Sequence, residues 1–210
     1  SGVKRFVLIS TDKAVSPVSV YGVSKNICEK LVLQTAQTLK NQDKDFSYMF
    51  VRFGNVLGSR GSILPLFMEQ IKNGGPLTVT DKEVNRFFMT IPEACSLGLK
   101  TGEDGKNGMA YLLDMGEPIK IIDIAEQLNR ISGYEPYKDI NIIFTGLRKG
   151  ERIDEPLWLP EENPTRTSFE KILQMTSDFN NDELQSCIEE LLSVITYNED
   201  NNNYRNIDTL

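Results

Sequence analysis

Two clusters within the first 25 residues carry groups able to do chemistry: Ser10-Thr11-Asp12-Lys13 and Tyr21-Gly22-Val23-Ser24-Lys25. On a helix, residues four apart project from one face, so Tyr21 and Lys25 would stand side by side. An ammonium next to a phenol favours its ionised form. A tyrosine in that setting can take the proton of an alcohol while a hydride leaves the same carbon. Thr11 could hydrogen-bond the same alcohol, and Asp12 and Lys13 bring an acid and a base to adjacent positions. A tyrosine and a lysine four apart are also common on solvated helix faces. What raises this pair above that background is its place, shortly beyond an apolar run that reads as a strand.

The composition removes competing chemistries. None of the 210 residues is histidine, which excludes a Ser-His-Asp triad, a Cys-His pair and nearly every catalytic zinc site. No metal is expected, and acid–base work falls to Asp, Glu, Lys, Tyr or Cys. The net charge of −7 argues against a nucleic-acid partner, yet a few local arginines can still dominate one pocket for a phosphorylated ligand. With 40% hydrophobic and 25% charged residues, the chain has the make-up of an ordinary globular protein. No apolar run approaches the roughly 18–20 residues of a membrane span, and no signal peptide opens the chain. Cys28, Cys95 and Cys187 are odd in number and form no CxxC. A reduced, cytoplasmic setting is therefore expected.

The elements that must position the clusters follow from hydrophobic spacing. Lys4–Ser10 reads as a strand buried on both faces, as does Tyr48–Phe53. Between them, Val20–Leu39 reads as one helix with Ile27, Leu31, Val32 and Leu39 on a stripe. Strand, helix and strand make a βαβ crossover and hence a parallel sheet. In such a sheet, sites form at the strands' C-terminal ends, where Thr11 falls. Further on, helices are expected near Ile63–Lys72, Pro92–Lys100 and Ile119–Ile131, the last stopped by Gly133. Strands are expected at Pro76–Thr80, Phe87–Ile91, Met109–Leu113 and Ile140–Phe144. A last helix carries Leu184, Ile188, Leu191, Leu192 and Ile195, and the polar run Asn198–Asn203 is expected to end in disorder. There is no internal repeat, and no GxGxxG or GxxGxxG turn of the kind that cradles a dinucleotide.

The segment Ser10-Thr11-Asp12-Lys13-Ala14, with Pro17 and Tyr21-Gly22-x-x-Lys25, resembles the active-site segment of the extended short-chain dehydrogenase/reductases. It looks most like that of the UDP-N-acetylglucosamine 4,6-dehydratases of surface-polysaccharide synthesis. The likeness continues in the family's order through Val51–Gly61, Pro76–Asp81, Arg86–Thr90 and Gly146–Glu151, covering roughly residues 2–158. It implies that Tyr21 and Lys25 are the catalytic pair, with Lys25 also bonding the nicotinamide ribose of NADP or NAD. Thr11 would orient the sugar 4-hydroxyl, and Asp12 and Lys13 would be the acid and base that eliminate water across C5 and C6. Asn55, Arg60, Arg86, Arg148 and Glu151 would hold the UDP part, a role for which arginine's bidentate fork is suited. The three arginines should then converge on one site. Membrane-bound relatives with methionine at the tyrosine position differ from this chain, whose Tyr21 points to the soluble type.

The expected fold is α/β, the C-terminal half of a Rossmann-type parallel sheet with a smaller α+β substrate-binding lobe. Residues 1–55 and about 92–115 would form the sheet part with the Tyr/Lys helix. Residues 56–91 and 116–160 would form the lobe, and 161–210 an extension without assigned role. The expected activity is NAD(P)-dependent 4,6-dehydration of a UDP-sugar by a lyase that is complete, and a homo-oligomer, only at full length. The missing glycine-rich turn would lie upstream, so this chain alone should be inactive. The alternatives are a UDP-sugar 4-epimerase, which needs the Tyr–Lys pair but no elimination groups, and a non-catalytic nucleotide-sugar-binding fragment.

Overall fold

The computed structural model describes residues 3–41 and 46–200, with side chains described over 3–40 and 46–193. Strand β1 (Arg5–Thr11) runs through a single 3-10 turn at Asp12–Ala14 into helix α1 (Val20–Asn41). Strand β2 (Ser47–Phe53) then returns parallel to β1, with Arg5 opposite Ser47 and Thr11 opposite Phe53. After it come β3 (Asn55–Val56), α2 (Ile63–Lys72), β4 (Leu77–Val79), β5 (Asn85–Arg86), β6 (Phe88–Met89) and α3 (Ile91–Asp104). The chain continues through β7 (Met109–Leu113), β8 (Ile119–Lys120), α4 (Ile121–Ile131), β9 (Ile142–Phe144), β10 (Thr165–Arg166), β11 (Ile172–Thr176) and α5 (Asn181–Asp200).

The main sheet has the order β1-β2-β7-β11-β10. Its first three strands are parallel, whereas β11 runs antiparallel to β7 and to β10. Alternation along β2 sends its side chains to opposite faces. Met49 and Val51 meet Ala94 and Leu97 of α3, while Phe50 packs with Val32 and Leu33 of α1. A second core joins Phe67 and Ile71 of α2, Leu77 and Val79 of β4, Ile121 and Ala125 of α4, and Ile142 of β9. Around it lie three two-stranded pairings, β3-β6, β4-β9 and β5-β8. The parallel-dominated α/β sheet is thus as expected, with a smaller α+β unit beside it.

Several local expectations change. β1 is not buried on both faces: Phe6 is 41% and Ile9 48% exposed. The cause is position, because β1 is the edge of the sheet and β2 is its only partner among the described residues. The expected strand Phe87–Ile91 shortens to β6 and runs into the start of α3, because Thr90 and Glu93 form a reciprocal cap and Pro92 sits in the first turn. Ile119 and Lys120 pair with β5 before α4 begins. The first residues of the polar run, Asn198–Asp200, still belong to α5; residues 201–210 lie outside the described residues.

The stretch after residue 160, expected to be an appendage, enters the main sheet through β10 and β11. A buried ion cluster fastens it. Arg52 on β2 lies 2.8 Å from Glu29 of α1 and 2.6 Å from Glu162, with side chains 2–3% exposed. Ser10 donates to Glu29 at 2.5 Å. Burial would lower the Arg52 pKa, but Glu29 and Glu162 outweigh it and raise it. Burial likewise pushes the Glu162 carboxyl up, and Arg52 overcomes that to hold it below the usual carboxylate range.

Candidate active site

The C-terminal end of β1 turns sharply into the 3-10 turn, and Thr11 caps it. Its hydroxyl accepts from the Lys13 backbone N–H at 3.4 Å and donates to Asp12 Oδ1 at 2.9 Å. Asp12 is 1% exposed. Lys13 Nζ lies 3.1 Å from Asp12 Oδ1 and 2.8 Å from Glu155 Oε2, so one ammonium bridges two carboxylates. Asp12 Oδ2 is buried with no hydrogen-bond partner. A buried carboxylate oxygen without a donor is costly by about 1–3 kcal/mol, which marks it as a place where an incoming group gains a bond.

Helix α1 is docked directly on this turn. A Cβ at Gly22 would come 2.3 Å from the carbonyl oxygen of Lys13, so the residue after Tyr21 must be glycine for helix and turn to approach this closely. Asn26 fixes the same approach by donating to the Ala14 carbonyl at 3.0 Å. Tyr21, in the first turn of α1, is 53% exposed. It lines a cavity of about 740 Å³ with Thr11, Lys13 and Asn55 and an apolar wall that includes Ile91, Ala94 and Leu99. Lys25, one turn on, reaches the Ile9 carbonyl of β1 at 3.1 Å rather than that cavity. Tyr21 and Thr11 therefore come together, and Lys25 stands behind them at the strand.

A second cavity, of about 1010 Å³, adjoins the first through Lys13, Asn55, Val56 and Ser59. It brings Arg60, Arg86 and Arg148 to one space together with Asp12, Glu151 and Glu155, although these residues are far apart in sequence. The three arginines differ. Arg60 and Arg148 are exposed. Arg86 is 8% exposed and bonds the backbone carbonyls of Asn85, Arg152 and Ile153 at 2.7–2.8 Å. Its Nε sits 3.3 Å from Glu155, so Arg86 is committed mainly to the protein. Glu151 is committed too: it accepts from Thr80 at 2.8 Å and from the Arg148 backbone N–H at 3.1 Å. Asn55 donates to the Phe87 carbonyl at 3.4 Å and keeps its amide on the wall shared by both cavities.

Electrostatics at this junction are strongly coupled. Burial would lower the Lys13 pKa, but the charges of Asp12 and Glu155 outweigh it and raise it, so the resting group is an ammonium. Burial, then the charge of Asp12, pushes the Glu155 carboxyl above the ordinary range in spite of Lys13 and Arg86. Sequence reasoning passed over Glu155. Its partner Lys13 lies 142 positions away, and no local pattern distinguishes it from any other loop carboxylate. The groups present are compatible with a nicotinamide cofactor: an apolar wall faces Tyr21, and Lys25 of the same helix holds its ammonium against the end of β1. Among the described residues no helix is long and apolar enough to cross a membrane.

Known proteins resemble this chain in sequence and in fold. Capsular polysaccharide biosynthesis protein CapD of Staphylococcus aureus is 45% identical over 192 residues, which is 91% of this chain and 31% of CapD. A UDP-glucose 4-epimerase of Rickettsia canadensis is 36% identical over 160 residues, 76% of this chain and 45% of the epimerase. The crystal structure of Pen from Bacillus thuringiensis superposes with a TM-score of 0.74 at 32% identity, covering 85% of this chain and 54% of Pen. The chain thus spans about a third of CapD and about half of Pen. Solved dTDP-glucose 4,6-dehydratases and a UDP-glucuronic acid 4-epimerase with the same fold, all below 25% identity, contain NAD. Residues 1–177 match the family model described as polysaccharide biosynthesis protein, and the chain belongs to that family.

Proposed function

We propose that the protein, at full length, is an NAD(P)-dependent nucleotide-sugar 4,6-dehydratase acting on a UDP-sugar, with UDP-N-acetylglucosamine as the candidate substrate. One observation carries this reading: Thr11, Asp12 and Lys13 sit at the junction of two cavities, one faced by Tyr21 and the other by Arg60 and Arg148. A nucleotide diphosphate in the second cavity would bond the free arginine forks and leave its sugar at the junction. There Tyr21, whose hydroxyl has no partner among the described residues, takes the 4-hydroxyl proton while the Thr11 hydroxyl, turning from Asp12, donates to the same oxygen. The nicotinamide, when bound, supplies the hydride acceptor and later donor.

The 4-ketone acidifies the neighbouring C5 hydrogen. Passing the Lys13 proton to Asp12 across their 3.1 Å contact leaves an amine to take the C5 hydrogen and a carboxylic acid to protonate the departing C6 hydroxyl. The unpartnered Asp12 oxygen is where that hydroxyl gains its bond. The product is a 4-keto-6-deoxy sugar nucleotide, one water lighter than its precursor. Incubating the full-length protein with UDP-N-acetylglucosamine and following product mass tests this reading. Loss of one water supports it, while an isomer of unchanged mass refutes it in favour of 4-epimerisation. The Rickettsia relative keeps epimerisation as the second reading. Against it stands the Asp12–Lys13 pair, which epimerisation does not use and whose buried Asp12 carries a desolvation cost.

A further inference from the structure

Glu155 is the one ionisable group at the cavity junction to which neither sequence nor resemblance assigns a task. Its side chain is 9% exposed, 2.8 Å from Lys13 Nζ and 3.3 Å from Arg86 Nε. The loop that carries it is already fastened to the catalytic turn without it. Arg152 donates to the Val15 carbonyl at 3.3 Å and to the Ser16 carbonyl, and Gly150 lies so close to Val18 that a Cβ there would stand 3.0 Å from its carbonyl oxygen. Docking therefore does not need a carboxylate at 155. A buried charge that packing does not require, on the wall of a cavity, points to use at that cavity.

We propose that Glu155 is a positioning residue of the acid–base group: it holds the Lys13 ammonium against Asp12 and joins it to Arg86, so that the reacting end and the nucleotide end of the site form one ion chain. The proposal rests on the dehydratase reading. Asp12 and Glu155 are the charged groups facing Lys13, while Lys13, Arg86 and Asp12 face Glu155. Glu151 stands 3.9 Å from Arg86 at the far side. Without Glu155, the flexible lysine stem keeps only the carboxylate of its own neighbour, Asp12, and Lys13 Nζ loses the fixed position that proton transfer needs.

Two measurements test the proposal in parallel. The first follows the titration of Lys13 by NMR in lysine-labelled chain, wild type and Glu155→Gln. The second takes kcat, KM and the pH profile of the full-length protein with UDP-N-acetylglucosamine, adding Glu155→Asp as the charge-retaining variant. In Glu155→Gln, Lys13 should titrate lower by about one pH unit or more, and the limb of the pH profile it controls should move with it. In the same variant kcat should fall roughly ten- to hundredfold with KM little changed. Glu155→Asp should restore the position of the limb and part of kcat, which a folding defect would not do. A Lys13 titration that does not move in Glu155→Gln overturns the proposal whatever the activity. An active wild type whose kcat and pH profile survive Glu155→Gln overturns the positioning role alone. A wild type that turns over no nucleotide sugar sinks the functional reading, and the positioning role with it.

Discussion

Two ion clusters lie at opposite sides of the same strand end, and they are built differently. The Arg52 cluster is buried and closed: Arg52 Nε, Nη1 and Nη2 all reach Glu29 or Glu162 at 2.6–3.3 Å. The Lys13 cluster borders a cavity, leaves Asp12 Oδ2 without a partner, and holds a lysine 35% exposed. The first cluster has no bond left to offer a ligand, so its charges can only hold structure. The second keeps unmade bonds beside open space, the arrangement expected where charge must move during a reaction. Satisfaction, rather than the mere presence of buried charge, separates scaffold from chemistry here.

That contrast can be broken in several places. The largest effect is expected from Asp12→Asn with Lys13→Met in the full-length protein: product formation should fall by about 10³-fold or more, with an unfolding midpoint close to wild type. Solvent deuterium at C5 should disappear while reduction of the cofactor survives. A double variant that releases product at the wild-type rate would make the open cluster structural as well. Next comes Arg52→Met, which strands two buried carboxylates and should destabilise by about 3–5 kcal/mol in urea unfolding. If the loss is under about 1 kcal/mol, the cluster is no clamp.

Smaller effects sharpen the difference. Arg148→Ala should weaken UDP binding by about 1.5–3 kcal/mol, the range for charged hydrogen bonds, as read by calorimetry, and leave stability unchanged. Arg86→Ala should lower the melting temperature as well, because its donors serve backbone carbonyls. Last, the two glutamates should respond to pH in opposite directions. The Glu162 carboxyl is held low in the folded chain, so its contribution is present above the ordinary carboxylate range and is lost as pH falls through its folded value. The Glu155 carboxyl is raised, so its contribution is full below the ordinary range and lost as pH rises through its folded value. At neutral pH, Glu162→Gln should therefore melt below wild type and Glu155→Gln no lower than wild type. Equal losses would erase the distinction.

What the sequence made legible was whatever depends on near neighbours. Tyr21 and Lys25 share a helix because four residues separate them, and Thr11 ends a strand because the apolar run stops there. The burial of β1 was misjudged because it depends on which strands flank it, and composition says nothing of that. Arg52 stands inside an apolar run, and nothing near it in sequence points to Glu29 and Glu162 as its partners. Glu155 was invisible for the same reason. The role of residues 161–176 was equally hidden, since an antiparallel strand added late to a parallel sheet follows no local rule.

Gly22 carries a consequence for how unfamiliar sequences are read. Every L-residue other than glycine brings a Cβ, and at this position that atom would meet the Lys13 carbonyl at 2.3 Å. Main chain stands against main chain there, so no rotamer change relieves the clash. The glycine between the tyrosine and the lysine is thus a steric password. A chain with Tyr-x-x-x-Lys after such a turn, but alanine or serine in the second place, must hold its helix farther from the turn. Such a chain should be set aside when genomes are searched for enzymes built on this geometry.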